Sequence, residues 1–191
     1  MNGAVGGGEV ERLVAELAGH RRSGDVAATA DTLARIGEIL IRAGRLSEAE
    51  RALSEALTAR PDMPEATYLR GLVHRNRGRP SEAAPFFERA LAFRPNWPKP
   101  SLELGRGRYA QLDYDGAASA LWRSLALDPG DPIAQMMLGR ALLNHERFAD
   151  ADQALAHAVS LRPDYVRQVA ILRLGLRQQD FAAACASDRW I

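Results

Sequence analysis

The sequence predicts an all-α protein made of stacked helical hairpins, and three periodic features carry that prediction. Glycines recur at one fixed interval, at Gly37, Gly71, Gly105 and Gly139. Small residues keep the same period at Ala49, Ala83, Ala117 and Ala151, and again at Ala56, Ala90, Ser124 and Ala158. Prolines close each copy at Pro61, Pro95, Pro129 and Pro163. A fixed period of this length marks a repeat architecture, in which each hairpin covers its neighbour's apolar face.

One copy, Pro64 to Trp97, explains the others. Tyr68, Leu69, Leu72 and Val73 run at helical spacing, and so do Ala83, Phe86, Phe87, Ala90 and Leu91. Asn76, Arg77, Gly78, Arg79 and Pro80 separate the two blocks, with Gly just past one helix and Pro just before the next. A glycine inside a helix costs about 1 kcal/mol relative to alanine, so Gly71 and its counterparts need a packing reason. Facing alanines supply one, by letting two helix backbones approach closely. Each closing proline forbids continuation of the second helix.

These in-phase copies resemble the tetratricopeptide repeat family over residues 30–165, as repeats 30–63, 64–97, 98–131 and 132–165. The resemblance implies an alpha-solenoid, a right-handed superhelix of helix-turn-helix hairpins. It also implies that the first helix of each hairpin, helix A, lines a concave face used to hold peptide segments of other proteins.

The flanks follow in order. Residues 1–8 are glycine-rich and are expected to be disordered. Residues 9–29 hold a capping helix with Val10, Leu13, Val14 and Leu17 on one face, and then a lead-in where Asp25 is placed to cap the next helix. Ser47 and Glu50 are spaced as a capping box for the second helix of repeat one. In repeat two, Pro85 is expected to delay or kink the second helix. Where Gly44 and Gly78 occupy the turn of the first two repeats, Leu112 and Glu146 stand in the last two, with Asp113 expected to form the turn. Residues 166–191 read as a degenerate half-repeat, of which 166–178 is a capping helix. The expected total is about eleven helices.

Composition narrows the function classes. The formal charge is only +1, so nothing in the overall balance points to nucleic acid or a membrane surface. Arginine almost entirely replaces lysine, Lys99 being the only one, and alanine is abundant, which points to a GC-rich bacterial coding sequence. The single Cys185 fits a reducing compartment, and the N-terminus has neither the basic start nor the apolar run of a secretory signal, so a cytoplasmic location is expected. His20, His74, His145 and His157 show no metal-ligand spacing, His74 being expected as a satisfied core residue, and no phosphate loop or nucleophile motif occurs. Neither enzyme activity, cofactor nor metal is expected. The helical-repeat code for single-stranded RNA needs polar readers at a fixed position, but Ala34, Tyr68, Leu102 and Met136 stand there.

The expected function is therefore a non-catalytic scaffold or adaptor. The helices A are net basic and the second helices mildly acidic, which points to an acidic, partly apolar peptide in a basic groove. By the resemblance, the groove is formed by Arg42, Tyr68, Arg75, Asn76, Arg106, Tyr109, Met136, Arg140 and Asn144. Chaperone-tail binding is not expected, since the family's clamp positions hold Ala34, Glu38, Leu69 and Glu103, with only Lys99 fitting. Arg35, Leu69, Glu103 and Met137 do not form the asparagine ladder of the sugar-transferring members. Two alternatives remain: the targeting or regulatory part of a larger bacterial sulfo-, glycosyl- or methyltransferase, and head-to-tail self-assembly through the open end of the stack. Trp122, expected on the back of its helix, would mark a second contact if exposed.

Overall fold

The computed structural model describes residues 7–174. The expected disorder of residues 1–6, the end of the cap beyond residue 174, Cys185 and the expected eleventh helix lie outside the described residues. Within them the chain is all-helical. It runs α1 (Gly7–Ser23), α2 (Val26–Arg42), α3 (Leu46–Ala59), α4 (Pro64–Asn76), α5 (Pro80–Phe93), α6 (Pro98–Ala110), α7 (Tyr114–Leu127), α8 (Pro132–Asn144) and α9 (Phe148–Leu161). A short 3-10 turn at Pro163–Tyr165 leads into a helical segment at 166–174. Gly7 and Gly8, read as disordered, form the first turn of α1. Consecutive helices pack in pairs, the arrangement of the alpha-solenoid class.

The chain divides into two compact units, one ending at Pro100 and the other beginning at Ser101. The first is built on Leu13, Leu33, Ile36, Leu40, Leu53 and Val73, all buried. The second is built on Leu121, Leu138, Leu142, Leu155 and Val169.

Each repeat is closed by the same two devices. At the end of helix A the chain makes a left-handed residue, Gly44 (φ 73°), Gly78 (φ 74°), Leu112 (φ 63°) or Glu146 (φ 58°). The next residue's N–H bonds back to a carbonyl of the last helical turn: Arg45 to Leu40 (2.9 Å), Arg79 to His74 (3.1 Å), Asp113 to Arg108 (3.0 Å) and Arg147 to Leu142 (2.9 Å). This is the Schellman closure, which satisfies helix-end carbonyls. Gly24 (φ 71°) makes the same closure between α1 and α2, through Asp25 to His20 (3.0 Å). At the end of the second helix, Arg60, Arg94, Asp128 and Arg162 adopt near-extended dihedrals, φ from −138° to −142° and ψ from 83° to 97°. Each precedes a closing proline, whose ring excludes the helical region for the residue before it.

The glycine rule has a different physical content from the expected facing alanines. A Cβ at Gly37 would lie 2.7 Å from Leu53 Cγ, at Gly71 2.5 Å from Phe87 Cε1, at Gly105 2.6 Å from Leu121 Cγ, and at Gly139 2.5 Å from Leu155 Cγ. In each case the neighbour is the large apolar side chain midway along the second helix, which rests against the bare glycine Cα. The alanines add a close backbone oxygen: Ala117 O and Ala151 O stand 3.2 and 3.3 Å from the same points at Gly105 and Gly139.

Three other local expectations change. Ser47 and Glu50 do not form a capping box, because α3 starts at Leu46 and Ser47 is already inside it. Its cap residue is Arg45, which hydrogen-bonds Glu48 at 2.7 and 2.6 Å and holds that carboxyl below the usual carboxylate range. Arg79–Glu82 and Arg147–Asp150 repeat this arginine–acid pair. In repeat three, Asp113 is an N-cap, accepting from the Gly116 N–H at 3.0 Å, while Leu112 itself makes the left-handed turn. Helix α5 starts on time at Pro80 and continues through Pro85. Asp25 does cap α2, accepting from the Ala28 N–H at 2.9 Å.

Two stability predictions follow from these contacts. Gly139→Ala should destabilise by about 1–3 kcal/mol, the usual range for overpacking. Gly19→Ala, in α1 with nothing within 4 Å of the new methyl, should stabilise by about 0.5–1 kcal/mol. Urea midpoints moving in the same direction for both would overturn the packing account. Leu112 is 70% exposed, so Leu112→Gly loses little packing and removes a left-handed strain of about 1–2 kcal/mol. Its denaturation midpoint should rise, whereas that of Gly78→Leu should fall.

Candidate functional site

In the first unit, helix α4 carries Tyr68, Arg75 and Asn76. Tyr68 is half-buried, its ring centroid 5.7 Å from Phe87 and 4.8 Å from Trp97. Trp97 in turn carries the Arg94 guanidinium 5.1 Å above its ring. Arg75 donates from Nε and Nη2 to Asn76 Oδ1 at 3.1 and 2.8 Å, so the two residues form one polar group. Arg42, in the last turn of α2, donates to Glu38 at 2.9 Å one helical turn back.

In the second unit, α6, α7 and α8 bring four residues together, Tyr109, Tyr114, Arg140 and Asn144. Arg140 lies over the Tyr109 ring at 5.1 Å. Asn144, one turn further along α8, donates to the Tyr109 hydroxyl at 3.2 Å and to Arg140 O at 2.8 Å. Tyr114 closes the other side of Tyr109, with ring centroids 5.5 Å apart. Arg106 is exposed and stands 3.5 Å from Glu103, which is itself 6% exposed.

Two features differ from the expected groove. Met136 is 8% exposed and belongs to the core of its unit, so it packs the fold and offers no contact surface. Its repeat position is buried also at Ala34 and Leu102, because it lies one turn before the close-packed glycine and so on the same helix face. The basic character is also partly cancelled, since Arg42 and Arg106 carry their own carboxylates. The exposed Arg42–Glu38 pair contributes about 0–1 kcal/mol. Among the described residues no carboxylate is paired with Arg140.

Other residues singled out in the sequence find definite surroundings. Trp122 is 38% exposed, with the Arg147 guanidinium 4.7 Å over its ring. It edges a pocket of about 260 Å³ with Leu125, Leu138 and Leu142, across which Gln135 and His157 hydrogen-bond at 3.1 Å. His74 is nearly buried and stacks on Phe86 (5.0 Å, 18°), with Nδ1 3.1 Å from Glu82. Its Nε2 has no hydrogen-bond partner, so it is only half satisfied. No three histidine, cysteine or acidic side chains are gathered for a metal, and no helix is long and apolar enough to cross a membrane, among the described residues.

Paired helices that recur at one fixed period, each pair with a helix-A glycine under a large side chain from the second helix, define a helical-repeat protein. The family match is specific: tetratricopeptide repeat models cover residues 35–98 and 108–174, and the chain belongs to the tetratricopeptide repeat family. None of the curated proteins matches it. Among solved structures, MamA from Desulfovibrio magneticus RS-1 is similar at 27% identity and a TM-score of 0.70, over 82% of this chain and 89% of that one. YrrB, described as a TPR protein with an unusual peptide-binding site, is 22% identical with a TM-score of 0.68, over 90% of this chain and 86% of its own. PilF of Pseudomonas aeruginosa is 21% identical with a TM-score of 0.70, over 80% and 69%.

The Tyr109 cluster can be tested without a ligand. A double-mutant cycle between Tyr109→Leu and Arg140→Gln should give a coupling of about 0.5–1 kcal/mol, as for an exposed cation–π pair. Strict additivity would show that the two side chains do not interact.

Proposed function

We propose that this protein is an interaction scaffold that binds an acidic, partly apolar polypeptide segment through helix-A residues. The observation that carries this reading is the cluster of Tyr109, Arg140 and Asn144. It joins an aromatic face, an arginine with no carboxylate partner among the described residues, and an amide. Arginine and tyrosine are enriched at protein interfaces, where one end is apolar and the other hydrogen-bonds. The planar guanidinium receives a carboxylate through two hydrogen bonds while its face remains against the ring. Tyr68, Arg75 and Asn76 supply a related set of groups in the first unit. The coarse role, protein binding, agrees with the family and with YrrB as a peptide-binding relative in fold.

Peptides selected from a random display library on the purified chain test this reading. The enriched sequences should contain a carboxylate next to an apolar or aromatic residue. Arg140→Glu should weaken the best of them at least about tenfold, a charge-assisted contact contributing about 1.5–3 kcal/mol, with the melting temperature nearly unchanged. Arg123→Glu, on α7, should leave affinity as it was, and added salt should weaken the wild-type complex. Selected peptides without acidic residues, or full affinity in Arg140→Glu, would overturn the assignment.

A further inference from the structure

Repeat two breaks the repeat pattern at two touching positions. The position occupied by Arg70 holds Ile36, Leu104 and Leu138 in the other repeats, and these are 6%, 5% and 4% exposed. The position of Phe86 holds Ala52, Ala120 and Ala154 elsewhere. An aliphatic–alanine pair has thus become an arginine–phenylalanine pair, with the Arg70 guanidinium 5.0 Å above the Phe86 ring. His74, one turn along α4, stacks on the same ring. The exchange fills volume, but it does not satisfy the arginine. Arg70 Nε is buried with no hydrogen-bond partner, and among the described residues no carboxylate pairs with Arg70. An uncompensated buried donor is destabilising, more so when charged, and the other three repeats show that the fold does not require it.

The guanidinium borders a pocket of about 420 Å³ formed by α3, α4 and α5. Ser54 and Thr58 line it from α3, Thr67 and Arg70 from α4, and Phe86 and Arg89 from α5. Arg89 is anchored by a bond from Nη2 to Pro61 O at 3.2 Å, and it also has no carboxylate partner among the described residues. Thr58 and Thr67 donate their hydroxyl protons to Ser54 O and Met63 O, each at 2.8 Å. Their oxygen lone pairs therefore remain as acceptors. The pocket offers two cationic donors beside neutral acceptors and an aromatic face, at a volume within the range of ligand pockets and well above that of a bare ion.

The second unit provides an internal comparison. Its pocket is the same crevice two repeats later, since Trp122, Leu125, Gln135, Leu138, Ala154 and His157 hold the repeat positions of Ser54, Leu57, Thr67, Arg70, Phe86 and Arg89 in turn. There Leu138 replaces Arg70, and the polar groups Gln135 and His157 satisfy each other. The crevice is a product of the repeat; Arg123 holds the position of Arg89 in repeat three, but an arginine at the position of Arg70 belongs to repeat two alone.

We propose that the Arg70–Arg89 pocket binds the acidic side chain of a polypeptide. The carboxylate is received by the Arg70 and Arg89 guanidinium groups that line the pocket, and an adjoining backbone N–H group donates to the exposed Thr58 oxygen. This site shares no residue with the helix-A set of Arg42, Tyr68, Arg75 and Asn76, and it stands whether or not that set binds a ligand.

The test follows the arginine Nε–H signals of the labelled full chain by NMR during titration with N-acetyl-glutamate amide, N-acetyl-glutamine amide, free glutamate and inorganic phosphate. The Arg70 signal should move saturably with the blocked glutamate and remain still with the blocked glutamine. Arg70→Leu, which restores the residue used by the other repeats, should raise the melting temperature and abolish the saturable shift at Arg89. Arg89→Gln should weaken binding several-fold while leaving Arg70 observable, which keeps the test open if the first variant folds poorly. Arg140→Glu should leave the titration unchanged, so failure here and failure of the helix-A reading are separable. No saturable shift with the blocked glutamate, tighter binding of phosphate or free glutamate, or undiminished binding in Arg70→Leu would each overturn the proposal.

Discussion

The contact between the helix-A glycine and the large side chain midway along the following helix sets the geometry of every hairpin. Leu53, Phe87, Leu121 and Leu155 are 0–2% exposed, and each occupies the space that a Cβ on Gly37, Gly71, Gly105 or Gly139 would need. The glycine gives up about 1 kcal/mol of helix propensity. In exchange a whole side chain, whose burial contributes about 1.5–3 kcal/mol, seats against helix backbone. Because the contact fixes the separation and rotation of both helices, it also determines which residues of helix A lie inward. That is why Met136, one turn before Gly139, is core, while Arg140, directly after it, is exposed.

Much of this architecture was legible because it is periodic. The glycines, the closing prolines and the phase of the repeat were all apparent from spacing. The identity of the glycine's neighbour was not. Two residue types recur in the second helix at suitable intervals, small and large, and spacing alone does not say which one points at the glycine. The left-handed turns at Leu112 and Glu146 were hidden for another reason: neither residue favours that conformation, and only their register with Gly44 and Gly78 marks them. The false capping box at Ser47 and Glu50 arose because the pattern was matched too late in the chain, with Arg45 already ending the turn and pairing with Glu48.

The site was less legible than the fold. Asn144 does reach the Tyr109 hydroxyl, and Arg75 bonds its neighbour Asn76. Net charge summed over a helix, however, hides partners that lie on that same helix. Glu38 lies one turn before Arg42, and Glu103 one turn before Arg106, both at spacings where side chains on a helix face meet. Once such pairs are set aside, Arg140 is a cation with no carboxylate partner among the described residues, and it lies over the Tyr109 ring.

In a repeat protein the departures from the period carry different information from the period itself. A residue that recurs in all copies answers a demand of the packing, which every copy shares. A residue found in one copy, at a position where the others agree, is not explained by that demand. Gly71 belongs to the first kind, and Arg70, its immediate neighbour in α4, to the second. The distinction is physical because the other copies measure what the position needs: Ile36, Leu104 and Leu138 show that an aliphatic side chain suffices there. Placing a guanidinium at such a position, with its Nε buried and unpartnered, sacrifices stability that a leucine would supply. Trp122 shows the same logic in weaker form, since Ser54 stands at its place two repeats earlier and Arg147 already covers its ring. Its exposed edge is partly accounted for within the molecule, whereas the donor on Arg70 is not. Among the described residues, Arg70 is therefore a departure whose charged donor calls for a partner from outside.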